Sequence, residues 1–154
     1  MGSSGTIGPI EIKTVSNNLR TSSWDIVYTY LKVTDAIDTQ NIYSAKNDTL
    51  VSQVGYPIVI IGVPSVSYLK LNTNGTITDS NIKILFQIFH ETAKGVKVLS
   101  DNVTYKLRRG RTTFAGERLM KMEIDEGDYD SWEEGSRKVH VVSFTVDFRF
   151  IGAS

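Results

Sequence analysis

The stretch from Ser80 to Gly110, SNIKILFQIFHETAKGVKVLSDNVTYKLRRG, changes its hydrophobic period in the middle, and that change limits what the chain can fold into. Up to His90 the period is two. Ile82, Ile84, Phe86 and Ile88 share one face of a strand, and Lys83, Leu85, Gln87 and Phe89 share the other. From Ala93 onward, Val96, Leu99, Val103 and Leu107 recur at three- and four-residue steps, which makes one apolar stripe on a helix. The apolar strand face and the apolar helix stripe need each other for cover. Thr92 is placed to cap the helix start, while Lys106, Arg108 and Arg109 suit the negative end of its dipole. Gly110 is expected to end the helix in the left-handed conformation.

The flanking segments extend this unit into a domain. Thr21, Ser22 and Ser23 are candidate caps for a first helix on which Trp24, Val27, Tyr28 and Leu31 share a face, ending near Val33. From Asp35 to Val54 the pattern is weak, with Ile37, Ile42, Tyr43, Leu50 and Val51 anchoring a polar stretch that receives no firm assignment. Ile58 to Ile61 is a continuous apolar run of strand length, as in a strand covered on both faces. Next comes a hairpin pairing Ser65–Leu71 with Thr76–His90, with Asn72 to Gly75 as its exposed tip. Thr112 to Ile124 reads as a further strand. Arg137 to Ile151 alternates clearly, with His140, Val142, Phe144, Val146, Phe148 and Phe150 as the core face. The expected architecture is a single α+β domain over residues 19–154, in α-β-β-α-β-β order. Its helices pack on one face of a mainly antiparallel sheet, after a flexible N-terminal arm over residues 1–18.

The chain offers little for chemistry. At 154 residues it can bury a substantial core, and it has no cysteine, which excludes disulfides, thiolate nucleophiles and cysteine-based zinc sites. His90 and His140 each lie within an alternating strand and have no second histidine at metal-ligand spacing. No nucleophile elbow, phosphate loop, zinc-protease or dinucleotide motif is present, so no enzyme, cofactor or metal is expected. The N-terminus has neither the basic start nor the apolar run of a secretory signal, and no apolar run is long enough to span a bilayer. The expectation is a soluble protein without a membrane partner. The Asn-x-Thr triplets at Asn47, Asn74 and Asn102 carry little weight without a secretion signal.

Charge is balanced globally and segregated locally. The formal net charge is +0, so the overall field favours neither nucleic acid nor a membrane surface. The helix end and the residues just after it are basic, with Arg108, Arg109 and Arg111 at the centre. The next region, Glu123 to Glu134, holds Asp125, Glu126, Asp128, Asp130 and Glu133 with no Lys or Arg, and reads as a solvated loop between two long strands. Its Asp128-Tyr129-Asp130 lacks the frame of a calcium loop, with a glycine at the sharp turn and a closing glutamate at set positions, and nothing around its carboxylates marks a pocket that would separate their pKa values. Tyr129 and Trp132 within it are residue types favoured at interfaces. Two readings stand side by side. Either both regions are solvated surface, or Arg108, Arg109 and Arg111 of one copy meet Asp125, Glu126, Asp128, Tyr129 and Trp132 of the next, head to tail.

The first helix, the Tyr56-Pro57-Ile58-Val59-Ile60-Ile61 strand, the SNIKILFQIFHETAKGVKVLSDNVTYKL junction and the closing VHVVSFTVDFRFIG strand together resemble the tail terminator, or tail-completion, proteins of long-tailed bacteriophages. The resemblance runs through most of the chain from Trp24 onward. It implies an α+β domain in a homo-oligomer, a hexameric ring, at the head-proximal end of the phage tail, assembled in the host cytoplasm. Such a ring stops polymerisation of the tail tube and offers the surface onto which the filled head docks. The implied partners are the tail tube protein and a head-tail connector or neck protein, with DNA only as cargo passing through the ring. A neck or tail-tube building block is the neighbouring alternative, and a cation-binding cellular domain a more distant one.

Overall fold

The computed structural model describes residues 19–33, 42–44, 55–70, 77–125 and 127–153. Among the described residues three helices and seven strands succeed one another as α1 (Leu19–Val33), β1 (Ile42–Tyr43), β2 (Ile58–Ile61), β3 (Ser65–Lys70), β4 (Ile77–His90), α2 (Ala93–Arg109), α3 (Arg111–Gly116), β5 (Met120–Ile124), β6 (Asp128–Glu134) and β7 (Arg137–Ala153). The long pair β4 and β7 forms the middle of the sheet, antiparallel from Ile77↔Ala153 to His90↔His140. Along the other edge of β4 lie β2 and then β3, both antiparallel to it, and along the other edge of β7 lie β5 and β6. Each of these two positions is thus filled by two successive strands, separated by Gly62–Pro64 on one side and flanked by Asp125 and Gly127 on the other. Among the described residues only β1 runs parallel, to β2. Among the described residues this is the single, mainly antiparallel α+β domain that the periodicity implies.

The helices cover one face. Ile82, Ile84, Phe86 and Ile88 of β4 are fully buried there with Phe144, Val146 and Phe148 of β7, and Val96, Val103 and Leu107 of α2 close over them. The ring of Phe86 stacks on that of Phe144 at 5.1 Å between centroids. Thr92 is the cap: its Oγ1 accepts the Gly95 N–H at 2.9 Å. Helix α1 docks through Val27 and Leu31, and the Trp24 indole N–H donates to the Ile61 carbonyl where β2 breaks off.

Five local expectations are corrected. Helix α1 starts at Leu19, upstream of Thr21, Ser22 and Ser23, and Ser23 Oγ donates back to the Leu19 carbonyl at 2.7 Å instead of capping. Gly110 is not left-handed, with φ −81° and ψ −1°. The chain passes almost directly from α2 into α3, and the glycine is there because the Tyr30 ring lies where a Cβ would project, 2.6 Å from its nearest atom. The segment Thr112–Ile124 is not one strand. Its first part is α3, which wedges Phe114 edge-on between Tyr30 and Phe148, and only Met120–Ile124 is extended. The acidic run is no loop either, since Asp128–Glu134 pairs with Arg137–Ser143 across a tight turn in which Gly135 takes φ +63°. Finally, the second face of β7 is not all solvent, because Val139 and Val141 join Ile58, Ile60 and Phe89 in a small core on the far side of the sheet. The apolar run Ile58–Ile61, read as covered on both faces, is buried at all four positions. The N-terminal arm, the hairpin tip Asn72–Gly75, Glu126 and most of Asp35–Val54 lie outside the described residues.

Candidate functional site

The basic and acidic groups come from three adjoining elements. Arg108 and Arg109 occupy the last turn of α2 and Arg111 the first position of α3, all exposed. Among the described residues no ion pair joins any of the three to a carboxylate. Arg109 instead lies over the Tyr105 ring, 5.7 Å from its centroid. Arg108 shares a cleft of about 210 Å³ with Asp101, Thr104, Asp125, Gly127 and Phe144, so it and Asp125 border the same hollow of one subunit. Asp125 is further tied down, since Thr145 Oγ1 donates to its carboxylate at 2.7 Å.

On β6 the two-residue period separates the remaining groups. Asp128, Asp130 and Trp132 pair opposite Ser143, Val141 and Val139 and share with them the bare face of the sheet, while Tyr129, opposite Val142, projects to the helix side. Tyr129 lies against His140, its hydroxyl 2.5 Å from Nδ1, and is still 54 % exposed. Trp132 stands edge-on to Phe89 at the rim of the second core, and its indole N–H donates to Glu134 Oε2 at 3.1 Å. The other Glu134 oxygen accepts from the Tyr56 hydroxyl at 2.7 Å. Burial of Tyr56, reinforced by that carboxylate, pushes its hydroxyl pKa well above the ordinary tyrosine value. As the edge of the sheet, β6 presents a row of carboxylates with one tyrosine and one tryptophan among them.

Two charged groups that sequence reasoning did not single out lie on the bare face. Asp79, 1 % exposed, accepts two hydrogen bonds from the Arg149 guanidinium, and that contact holds its carboxyl below the usual value. Asp147 borders a hollow of about 530 Å³ with Lys83, Glu123, Asn81 and two serines of β3. Burial pushes its carboxyl up, Asp125 and Glu123 add to this, and Lys83 opposes it. The alternation 79, 81, 83 against 145, 147, 149 could have placed these residues on one face, but their cross-strand register could not be read from either segment alone. Among the described residues no three metal-ligating side chains converge, and no helix is long and apolar enough to cross a membrane.

No protein-family model matches the chain, and no curated protein matches it. Its fold is similar to that of a solved chain from the "Virion of native gene transfer agent (GTA) particle". The TM-score is 0.53 at 13 % sequence identity, covering 82 % of this chain and 93 % of that one, a likeness of fold.

Proposed function

We propose that this chain is a structural virion protein, a tail terminator that forms a ring on the end of the phage tail tube, stops its polymerisation and presents the head-attachment surface. The observation that carries the reading is the fold likeness to a chain of a gene transfer agent virion, which spans nearly all of that chain. The resemblance of the strand-to-helix junction and the closing strand to tail terminators points the same way. The surface agrees with an assembling subunit, because basic and acidic groups sit on separate elements, and among the described residues no ion pair joins Arg108, Arg109 or Arg111 to a carboxylate. On this reading the protein has no catalytic role. It works as a homo-oligomer, a hexameric ring, at the head-proximal end of the tail, between the tube protein and a connector or neck protein, with DNA passing through.

The test is electron microscopy of particles whose copy of this gene is deleted, with tail lengths compared against intact particles. Overlong tails detached from filled heads are the expected result. Tails of normal length would reduce the role to joining, and absent tails would make the chain a building block of the tube or neck.

A further inference from the structure

Helix α2 carries two exposed apolar side chains on the side opposite the stripe it buries, with Asp101 and Asn102 on the turn between them. Val98 and Tyr105 lie two turns apart and point about 180° away from the Val96, Val103 and Leu107 line at roughly 100° per residue. They are 50 % and 55 % exposed. Around them stand exposed Lys94, Lys97 and Arg109, with Asp101 the one acid among them. Edge strand β6 is the chemical converse: its rim carries exposed Asp128, Asp130 and Trp132 on the sheet face away from the helices and exposed Tyr129 and Glu133 on the helix side. One surface points away from the sheet and the other is the sheet's edge, so they are separate faces of a protomer.

We propose that β6 of one copy docks on the outer face of α2 in the next copy. Complementarity identifies the occupant: a helix face on which Lys94, Lys97 and Arg109 outnumber Asp101 beside Val98 and Tyr105 meets a strand edge whose carboxylates flank Trp132 on one face and Tyr129 on the other. A net charge of +0 leaves no general attraction or repulsion between copies, so this local match sets the orientation. Aromatic and arginine side chains at the centre with charges at the rim is the arrangement that concentrates binding energy. The two patches differ, so the contact is heterologous and generates a ring where the rotation closes. This rests on the ring reading and refines it. Arg108 and Asp125, which border one cleft of their own subunit, move to the margin of the contact, and Val98, Tyr105 and Arg109 take the centre.

The absence of native cysteine makes the test direct. Full-length Val98→Cys and Asp130→Cys proteins, both altered at exposed positions, are mixed under mild oxidation. Val98→Cys mixed with Ser67→Cys, on the same sheet face as Asp130 but on β3 at the opposite side of the sheet, serves as the control. The docked pair is expected to cross-link at least ~10-fold faster than the control, because docking raises the effective thiol concentration. Lys97→Glu should slow that reaction, and Asp128→Lys on the partner should restore it. Wild-type protein is sedimented in parallel. A ring in sedimentation with cross-linking no faster than control overturns this contact and leaves the ring standing. Fast cross-linking with open chains instead of a closed ring supports the contact and removes the terminator reading. A wild-type monomer at every concentration, with cross-linking at control rate, overturns both.

Discussion

Gly110→Ala is a change for which backbone and packing predict opposite signs. The residue's φ of −81° and ψ of −1° are ordinary for alanine. By conformational entropy alone the substitution stabilises, by about 0.4–1 kcal/mol. The new Cβ, however, would meet Tyr30 Cζ at 2.6 Å, Tyr30 Cε2 at 2.7 Å and Phe114 Cε2 at 3.0 Å. The Tyr30 ring cannot yield freely, because its hydroxyl donates to the Lys106 carbonyl at 3.0 Å and its edge packs on Phe114 at 4.9 Å between centroids. Overpacking of this kind costs ~1–3 kcal/mol, and losing the hydrogen bond costs a further ~0.5–1.5 kcal/mol. Set against the entropic gain, the net loss is about 2 kcal/mol, a fall in Tm of roughly 4–8 °C for a chain of this size. Urea unfolding of Gly110→Ala, Tyr30→Ala and the double variant separates the causes. With Tyr30 truncated the two shortest contacts are gone and the Phe114 edge, left at 3.0 Å, has room to move aside, so Gly110→Ala should change sign and stabilise by up to about 0.4–1 kcal/mol. The same loss in both backgrounds would refute the packing argument and return the glycine to a backbone role.

Thr92→Ala should cost about 1 kcal/mol in urea unfolding, since it removes the only side-chain acceptor that caps α2 among the described residues. Asp79→Asn should lower Tm at neutral pH. The Arg149 contact depresses the Asp79 pKa, so its stabilisation is complete above the unfolded value of 3.8 and is lost as pH falls through the folded value; the variant and wild type converge in acid. Asp147→Asn should do the reverse. Burial raises the Asp147 pKa, so ionisation penalises the folded state above that value, and the variant's higher Tm at neutral pH should vanish as pH falls toward 3.8. Glu134→Gln should cost about 1 kcal/mol and shift tryptophan emission to the red, because an amide can accept through one atom where the carboxylate accepts from both Tyr56 and Trp132.

What could be read from the sequence is what repeats often enough to show a period. Strand β4 and helix α2 offer at least four apolar positions each at the right spacing, and that alone sets their limits and buried faces. Helix α3 has six residues and a single anchor, Phe114, too little for either period to appear. Strand β6 was hidden for another reason. It lies at the edge and pairs on one side only, so its composition is set by solvent, and DYDSWEE carries no apolar alternation. The usable signal was Gly135-Ser136 immediately before a strongly alternating segment, a hairpin turn pair. The second core was half visible, in that the unbroken run Ile58–Ile61 demands cover on both faces, yet its partners Val139 and Val141 read as the outer side of β7. Placement of the charged groups required register. That Arg108 and Asp125 share a cleft depends on how α2 lies beside the β5–β6 junction, which neither segment encodes by itself.

The two ends of the bare sheet face differ in a way that bears on where copies can touch. At the His90 end the face is apolar and already covered by its own small core. Toward the other end it carries Asp79, Lys83, Glu123, Asp147 and Arg149, and one Asp147 carboxylate oxygen is buried with no hydrogen-bond partner among the described residues. Asp79 is already buried and paired with Arg149, so covering that end with a neighbouring subunit would strip water from Asp147 and Glu123 with Lys83 to oppose them, and desolvating unpaired charge costs several kcal/mol per group. A contact through α2 and the β6 edge avoids this, because the groups it brings together have opposite sign and the apolar residues at its centre gain by leaving water. Subunit association through α2 and β6 should therefore be indifferent to Asp147→Asn, whereas association through the Asp147 end of the bare face should be strengthened by it, since the variant removes the charge that dehydration penalises most. Sedimentation equilibrium of the two proteins at neutral pH decides between these surfaces, and a tighter assembly of the asparagine variant would place the interface on the bare face.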